Sequence, residues 1–210
     1  MISELGQASP FRYESRMKKP LIITALFLTS LFVVEAGETR VEDFSGGVVP
    51  KGWTGVKGEW KVADGSLSGK ELEADHHGAV FMIPDAHTDS TFSCRFQVNG
   101  AKGFGLSYNH EKGHLFRVRI SPTEVVLALD KDKKDPASKP IHFGEAAVDF
   151  KAGEWYDLTC TVKGNTVEVV CAGEKLSGTN EKLTKGKTGY RFTVAGESVL
   201  VDDIAFSSSE

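Results

Sequence analysis

The chain has 210 residues, a formal net charge of −4, 22 glycines and three cysteines. It carries no basic run, which argues against a nucleic-acid partner. Its length suits one domain able to bury a sufficient core without disulfide staples.

Residues 1–16 show no periodicity and read as an extension upstream of a true start at Met17. Met17-Lys18-Lys19-Pro20 then opens an apolar run over 21–34, broken only by Thr24, Thr29 and Ser30 and closed by Glu35-Ala36. A short basic head, an apolar stretch and small residues at its end mark a secretory signal peptide, expected as a helix over 17–36. A membrane-spanning helix needs about twenty apolar residues, so removal is expected rather than retention as an anchor. No Cys follows Ala36, so a lipid anchor is not indicated. The expectation is a single domain over 37–210, exported to the periplasm or secreted, with no stable membrane span after the leader is lost.

From there the glycines punctuate short alternating runs, the pattern of an all-β sandwich or barrel. Phe92, Cys94, Phe96 and Val98 alternate with Ser93, Arg95 and Gln97, which places the first set on a core face. Phe104, Leu106 and Tyr108 continue the pattern, then His114, Phe116, Val118 and Ile120, then Val125, Leu127 and Leu129. Connections at 99–103, 111–113 and 121–123 make these four strands a meander. Residues 130–139, charged and holding one proline, read as a solvated loop. Gly164-Asn165 between two alternating runs predicts a two-residue hairpin pairing Lys163 with Thr166. That register sets Cys160 opposite Val169 and makes a Cys160–Cys171 bridge diagonal and strained. All three cysteines are therefore expected as buried small apolar residues. Residues 189–195 and 199–206 supply closing strands.

Three places could carry chemistry. The polar side of the meander collects Arg95, Gln97, Ser107, Asn109, Arg117 and Arg119, with His114 at its edge. If the strands are neighbours these form one patch whose guanidinium and amide groups match sugar hydroxyls. The competing reading is an ordinary wet face of an antiparallel sheet. Glu71, His76 and His77 crowd a loop before an apolar strand at 79–83, and Glu71 with His77 is the minimum pair for acid–base work. Solvated loop charge is the alternative there, although His110 and His114 flank another turn and the loops could converge. Asp43 near the first strand and Asp202 or Asp203 near the last form a candidate structural calcium pair if the termini meet. Trp53 either stacks on a sugar ring or caps the sandwich.

The opening through Trp53, with Gly58-Glu59-Trp60-Lys61-Val62 and Asp64-Gly65-Ser66-Leu67, resembles the bacterial 3-keto-disaccharide hydrolase domain. So do Gly153-Glu154-Trp155-Tyr156, Thr161-Val162-Lys163-Gly164-Asn165, Gly189-Tyr190-Arg191-Phe192 and Val201-Asp202-Asp203-Ile204. The resemblance implies a concanavalin A-like jelly-roll β-sandwich of two antiparallel sheets, similar to lectins and laminarinase-type glucanases, with ligand on the concave outer face. It also suggests hydrolysis of oxidised glycosides. Laminarinase-type enzymes carry Glu-x-Asp-x-Glu on one strand, and retaining chemistry needs carboxylates about 5 Å apart. Glu71-x-Glu73-x-Asp75 departs from that order, so that mechanism is not expected. The leading expectation is an exported carbohydrate-binding jelly roll related to glycoside hydrolases. The alternatives are an active hydrolase or lyase on a 3-keto or other modified glycoside, and a structural or adhesive envelope module.

Overall fold

The computed structural model describes residues 38–111 and 113–209. The extension and signal peptide expected over 1–36 lie outside the described residues. From the amino end the strands are β1 (Arg40–Glu42), β2 (Thr54–Lys57), β3 (Glu59–Ala63), β4 (Ser66–Lys70) and β5 (Ala79–His87). The middle holds β6 (Asp89–His110), β7 (Gly113–Ser121), β8 (Glu124–Leu129) and β9 (Ile141–Ala147). The rest are β10 (Trp155–Lys163), β11 (Thr166–Cys171), β12 (Glu174–Thr179) and β13 (Lys187–Ser209). Among the described residues the helical content is two short 3-10 turns, Glu73–Asp75 and Glu181–Thr184.

All the strand pairs are antiparallel, and two long strands are shared between two sheets. The first half of β6 pairs with β10 and with the second half of β13, which also holds β4 and β1. Beyond β10 and β4 this sheet continues through β11 and β12 on one side and β3 on the other. The second half of β6 pairs with β7 and with the first half of β13, which holds β5 and through it β2. This sheet continues through β8 to β9. The product is a jelly-roll sandwich.

A connection at 99–103 was expected, and the structure replaces it with an unbroken strand. β6 bends there instead of turning. Gly100 (φ 81°) on β6 and Gly196 (φ 82°) on β13 both adopt the left-handed conformation that glycine tolerates at little steric cost, and the register slips between them. The paired bulges let two strands leave one sheet and enter the other together. Likewise the two closing strands expected at 189–195 and 199–206 are one strand, β13. Strands β9 and β12 are also present, though their sequences alternate weakly and their residues are mostly exposed or half-buried.

The core lies between the sheets. Phe92 meets Phe192 (ring centroids 5.9 Å) and Tyr190 (4.7 Å), while Phe96 meets Phe104 (5.2 Å). Each of these rings is at most 3% exposed, and burial of one such side chain contributes roughly 1.5–3 kcal/mol. Tyr108, on the second sheet, donates its hydroxyl to the Cys160 carbonyl on the first, 3.0 Å away. Trp53 caps the sandwich against Phe44, Phe81 and Phe206, its ring half-buried. The 163–166 hairpin has the expected register, with Cys160 opposite Val169 and Cys171 opposite Leu158. All three cysteines are free and buried. Burial pushes the thiols of Cys160 and Cys171 up to about 12 and raises that of Cys94 as well.

One end of this core is polar. His87, stacked on Tyr190 at 4.9 Å, donates from Nδ1 to the Asp85 carbonyl at 2.9 Å. Arg40 reaches the Asp85 carboxylate at 3.1 Å, and buried Lys187 donates to the carbonyls of Thr88 and Leu183. Burial lowers the pKa of His87 and brings Lys187 down to about 8.

Candidate functional site

The crossing of β6 decides where its polar side chains point. Arg95 and Gln97 precede the bulge and lie outside the first sheet, whereas Ser107 and Asn109 follow it and lie outside the second. The single patch expected from alternation is therefore two patches on different sheets.

On the first sheet the polar groups have partners close by, although Arg95 Nε meets Asp203 as an ion pair and not as a hydrogen bond. Arg95 forms ion pairs with Asp202 (3.1 Å) and Asp203 (2.8 Å), and its guanidinium lies 4.9 Å from the Trp155 ring centre. Gln97 donates to the Gly153 carbonyl and accepts from Asn99. Asp202 is thereby held by an arginine. Asp43 lies just beyond β1, which pairs with the end of β13 as the calcium expectation required. Hydrogen bonding from Ser45, by its side chain first and then by its N–H at 2.9 Å, lowers the pKa of the Asp43 carboxylate. Among the described residues no three His, Cys, Asp or Glu side chains gather as a metal-binding group.

The second sheet is different. Cross-strand register sets Met82, Arg191, Ser107, Arg117 and Ala128 side by side on β5, β13, β6, β7 and β8. The next row is Val80, Thr193, Gly105, Arg119 and Val126 on the same strands. A third pairs Asn109 with His114. Two clefts of about 350 and 400 Å3 open on this face and share Arg117 and Arg119 as common walls. One is rimmed by His114, Asp130, Lys131 and Lys133. The other has a low floor of Gly103, Gly105, Val126 and Ala195, with Gly78 at its edge. A methyl group added at Gly105 would come within 2.8 Å of the Thr193 hydroxyl, so the trough depends on a bare backbone there.

This face holds polar groups that the fold leaves without partners. Ser107 is fully buried and Asn109 is 3% exposed, yet the Ser107 hydroxyl and both amide atoms of Asn109 make no hydrogen bond. Arg191 Nη1 donates to His114 Nε2 at 3.1 Å, and because a guanidinium only donates, the proton of that ring sits on Nδ1. That Nδ1–H is itself buried and unpaired. Burial, then the charges of Arg191 and Arg117, bring the His114 pKa down to about 4, so the ring is neutral near pH 7. Arg117 grips Asp130 Oδ1 through Nε (3.1 Å) and Nη2 (2.8 Å). Alternation alone misses Arg191, Asp130, Lys131 and Lys133. Arg191 stands out only as the polar member between Tyr190 and Phe192.

Of the loop pair, Glu71 accepts a hydrogen bond from the Gly196 N–H at 2.6 Å, clasping the β13 bulge. His77 is exposed and turns its Nδ1–H back onto the Gly78 carbonyl at 2.7 Å. Gly78 rims the trough, so this loop borders the face that carries Asn109, His114, Arg117 and Arg119.

A two-sheet jelly roll with a grooved polar outer face is the architecture of concanavalin A-like proteins. The family of 3-keto-alpha-glucoside-1,2-lyase-like domains matches residues 40–198, and the chain belongs to it. Its fold is similar to that of the carbohydrate-binding module CBM66 from Bacillus subtilis (TM-score 0.60, 12% identity, covering 75% of this chain and 96% of that one). It is similar to the Bacillus licheniformis beta-glucanase (TM-score 0.57, 8% identity, 83% and 99% covered). It also resembles a Clostridium perfringens endo-β-galactosidase that releases GlcNAcα1-4Gal (TM-score 0.57, 9% identity, 83% and 63% covered). No curated protein matches the sequence.

Proposed function

We propose that the domain recognises a glycoside on the outer face of its second sheet. The observation that carries this reading is the pair of clefts walled by Arg117 and Arg119, one floored by glycine and small apolar residues, with the buried, unpartnered Ser107 and Asn109 in the adjoining rows of the same face. A buried polar group without a partner costs about 1–3 kcal/mol. A ligand rich in hydroxyls would supply the missing partners once the side chains covering them shift to admit it. A sugar offers an apolar CH face to a flat floor and hydroxyls to the planar guanidinium and amide groups at its sides. Family membership and the likeness to a carbohydrate-binding module support the same reading. The leader expected over 17–36 would bring the domain to glycans outside the cytoplasm. Among the described residues no helix is long and apolar enough to cross a membrane.

Glycan-array binding followed by calorimetry on the best ligand tests the site. Arg117→Ala with Arg119→Ala is expected to weaken binding at least tenfold, since hydrogen bonds to charged groups contribute about 1.5–3 kcal/mol each. Binding that survives the double substitution sinks the site.

A second reading, cleavage of a 3-keto glycoside, draws on the family and on the neutral imidazole of His114 among cations. Turnover lost in His114→Gln would place the chemistry on the arginine row. Turnover lost in Glu71→Gln or His77→Ala would place it on the bordering loop.

A further inference from the structure

The arginine row is short of counter-charge. Arg191 and Arg117 stand on either side of Ser107, one strand away each, and Arg119 follows two residues along β7 on the same face. Arg191 Nη1 contacts His114, its Nε lies 3.1 Å from Met82 Sδ, and it meets no carboxylate among the described residues. Arg119 is exposed and has no polar partner among them. The carboxylates lining the two clefts are Asp130, already gripped by Arg117, and Glu124. Lys131 and Lys133 add to one rim and Lys102 to the other. Burial first, and then the Arg117 charge, lower the pKa of Arg191. The whole chain is acidic, at −4, so this excess is local to the face and not a consequence of composition.

We propose, on the basis of the glycoside reading above, that the ligand carries an anionic group, a carboxylate or a sulfate, seated over Ser107 between Arg191 and Arg117. Arg117 commits its Nε–Nη2 edge to Asp130, and Arg191 has Nη1 on His114. Each therefore turns its remaining Nη donors to the anion, as charge-assisted hydrogen bonds that a neutral hydroxyl does not match in strength. The Ser107 hydroxyl, fully buried and lacking an acceptor, would donate to the same group only where the flanking guanidiniums part to admit it. Arg119, one row along, reaches the adjoining sugar unit over the Gly105 floor. A neutral glycan would leave the repulsion within the row unrelieved, whereas an anion removes it.

The test is calorimetry of the full chain against three oligosaccharides of matched length: unsubstituted galactan, galacturonan and sulfated galactan. At least one charged form is expected to bind tenfold or more tighter than the neutral one. That preference should shrink tenfold in Arg191→Gln and in Arg119→Gln, the latter chosen because its side chain holds nothing in the fold. It should also fall between about 0.05 and 0.5 M NaCl, as screening shortens the reach of exposed charge. Tighter galacturonan binding assigns a carboxylate, and tighter sulfated-galactan binding a sulfate. Equal or better binding of the neutral galactan, still lost in the Arg117/Arg119 double variant, overturns the anionic inference and leaves the glycoside reading standing. Charged-ligand binding indifferent to both single variants overturns it as well. Binding to no sugar on the panel or on a broad array removes the parent reading and this one with it.

Discussion

One strand, β6, supplies polar side chains to both outer faces of this sandwich, and the two faces treat them in opposite ways. Outside the first sheet Arg95 is closed in by Asp202, Asp203 and Trp155, and Gln97 by Gly153 and Asn99. Outside the second, Ser107 and Asn109 are more deeply buried, yet the Ser107 hydroxyl and the Asn109 amide find no hydrogen-bond partner among the described residues. Burial alone does not explain the contrast. Satisfaction does. On the reading proposed above, the first face is structural, and the second, whose unpartnered groups lie in rows next to the two clefts, is the one that takes a ligand.

Three measurements bear on that contrast. The largest effect is expected from acid. The folded protein takes a proton at His114 only near pH 4, while the unfolded chain takes it near 6.5. The stability associated with the neutral ring is therefore complete above about pH 6.5 and is lost as pH falls toward 4. His87, also lowered by burial, should contribute to the same acid limb from inside the core. Melting temperature followed from pH 7 to pH 4 should drop steeply in the wild type and less steeply in His114→Gln. An unchanged slope would show that the charge on the second face does not reach this ring.

The next effect concerns Glu71. Glu71→Ala removes the acceptor of the Gly196 N–H and is expected to cost about 1.5–3 kcal/mol in urea unfolding, with Glu71→Gln keeping most of that. The bulge it clasps is the point where β13 changes sheets, so the loss should be read as stability before any loss of turnover is read as chemistry.

The smallest pair of effects separates the faces directly. Arg95→Ala should cost about 1 kcal/mol, the scale of a partly exposed ion-pair network with an aromatic contact, and leave glycan affinity unchanged. Ser107→Ala should leave stability within about 0.5 kcal/mol or raise it, because it removes a hydroxyl that has no partner, and should weaken glycan binding about tenfold. The reverse pattern would assign the site to the first sheet.

Much of this was open to reading in one dimension. The 163–166 hairpin, the inward turn of all three cysteines and the outward turn of Asn109, Arg117 and Arg119 follow from period-two alternation, which depends only on neighbouring residues. The clustering of Arg95 with Arg117 did not follow, because alternation says which way a side chain points and not which sheet its strand occupies. Arg191 was missed for a related reason. It joins the row through pairing with Ser107 across a long sequence separation, and nothing local to Gly189-Tyr190-Arg191-Phe192 signals that neighbour.

The sequence by itself determined an all-β chain, the inside and outside of its strands, and a resemblance to the 3-keto-disaccharide hydrolase domain. Each of these rests on short-range patterns or on aligned turn glycines and aromatics. The tertiary structure alone decided that β6 and β13 bend together at Gly100 and Gly196. It also decided that Asp202 and Asp203 answer Arg95 while, among the described residues, no carboxylate answers Arg191. Those outcomes rest on register and ion pairing between strands far apart in the chain, and they are what turned one polar strand into a braced surface at one end and an unanswered one at the other.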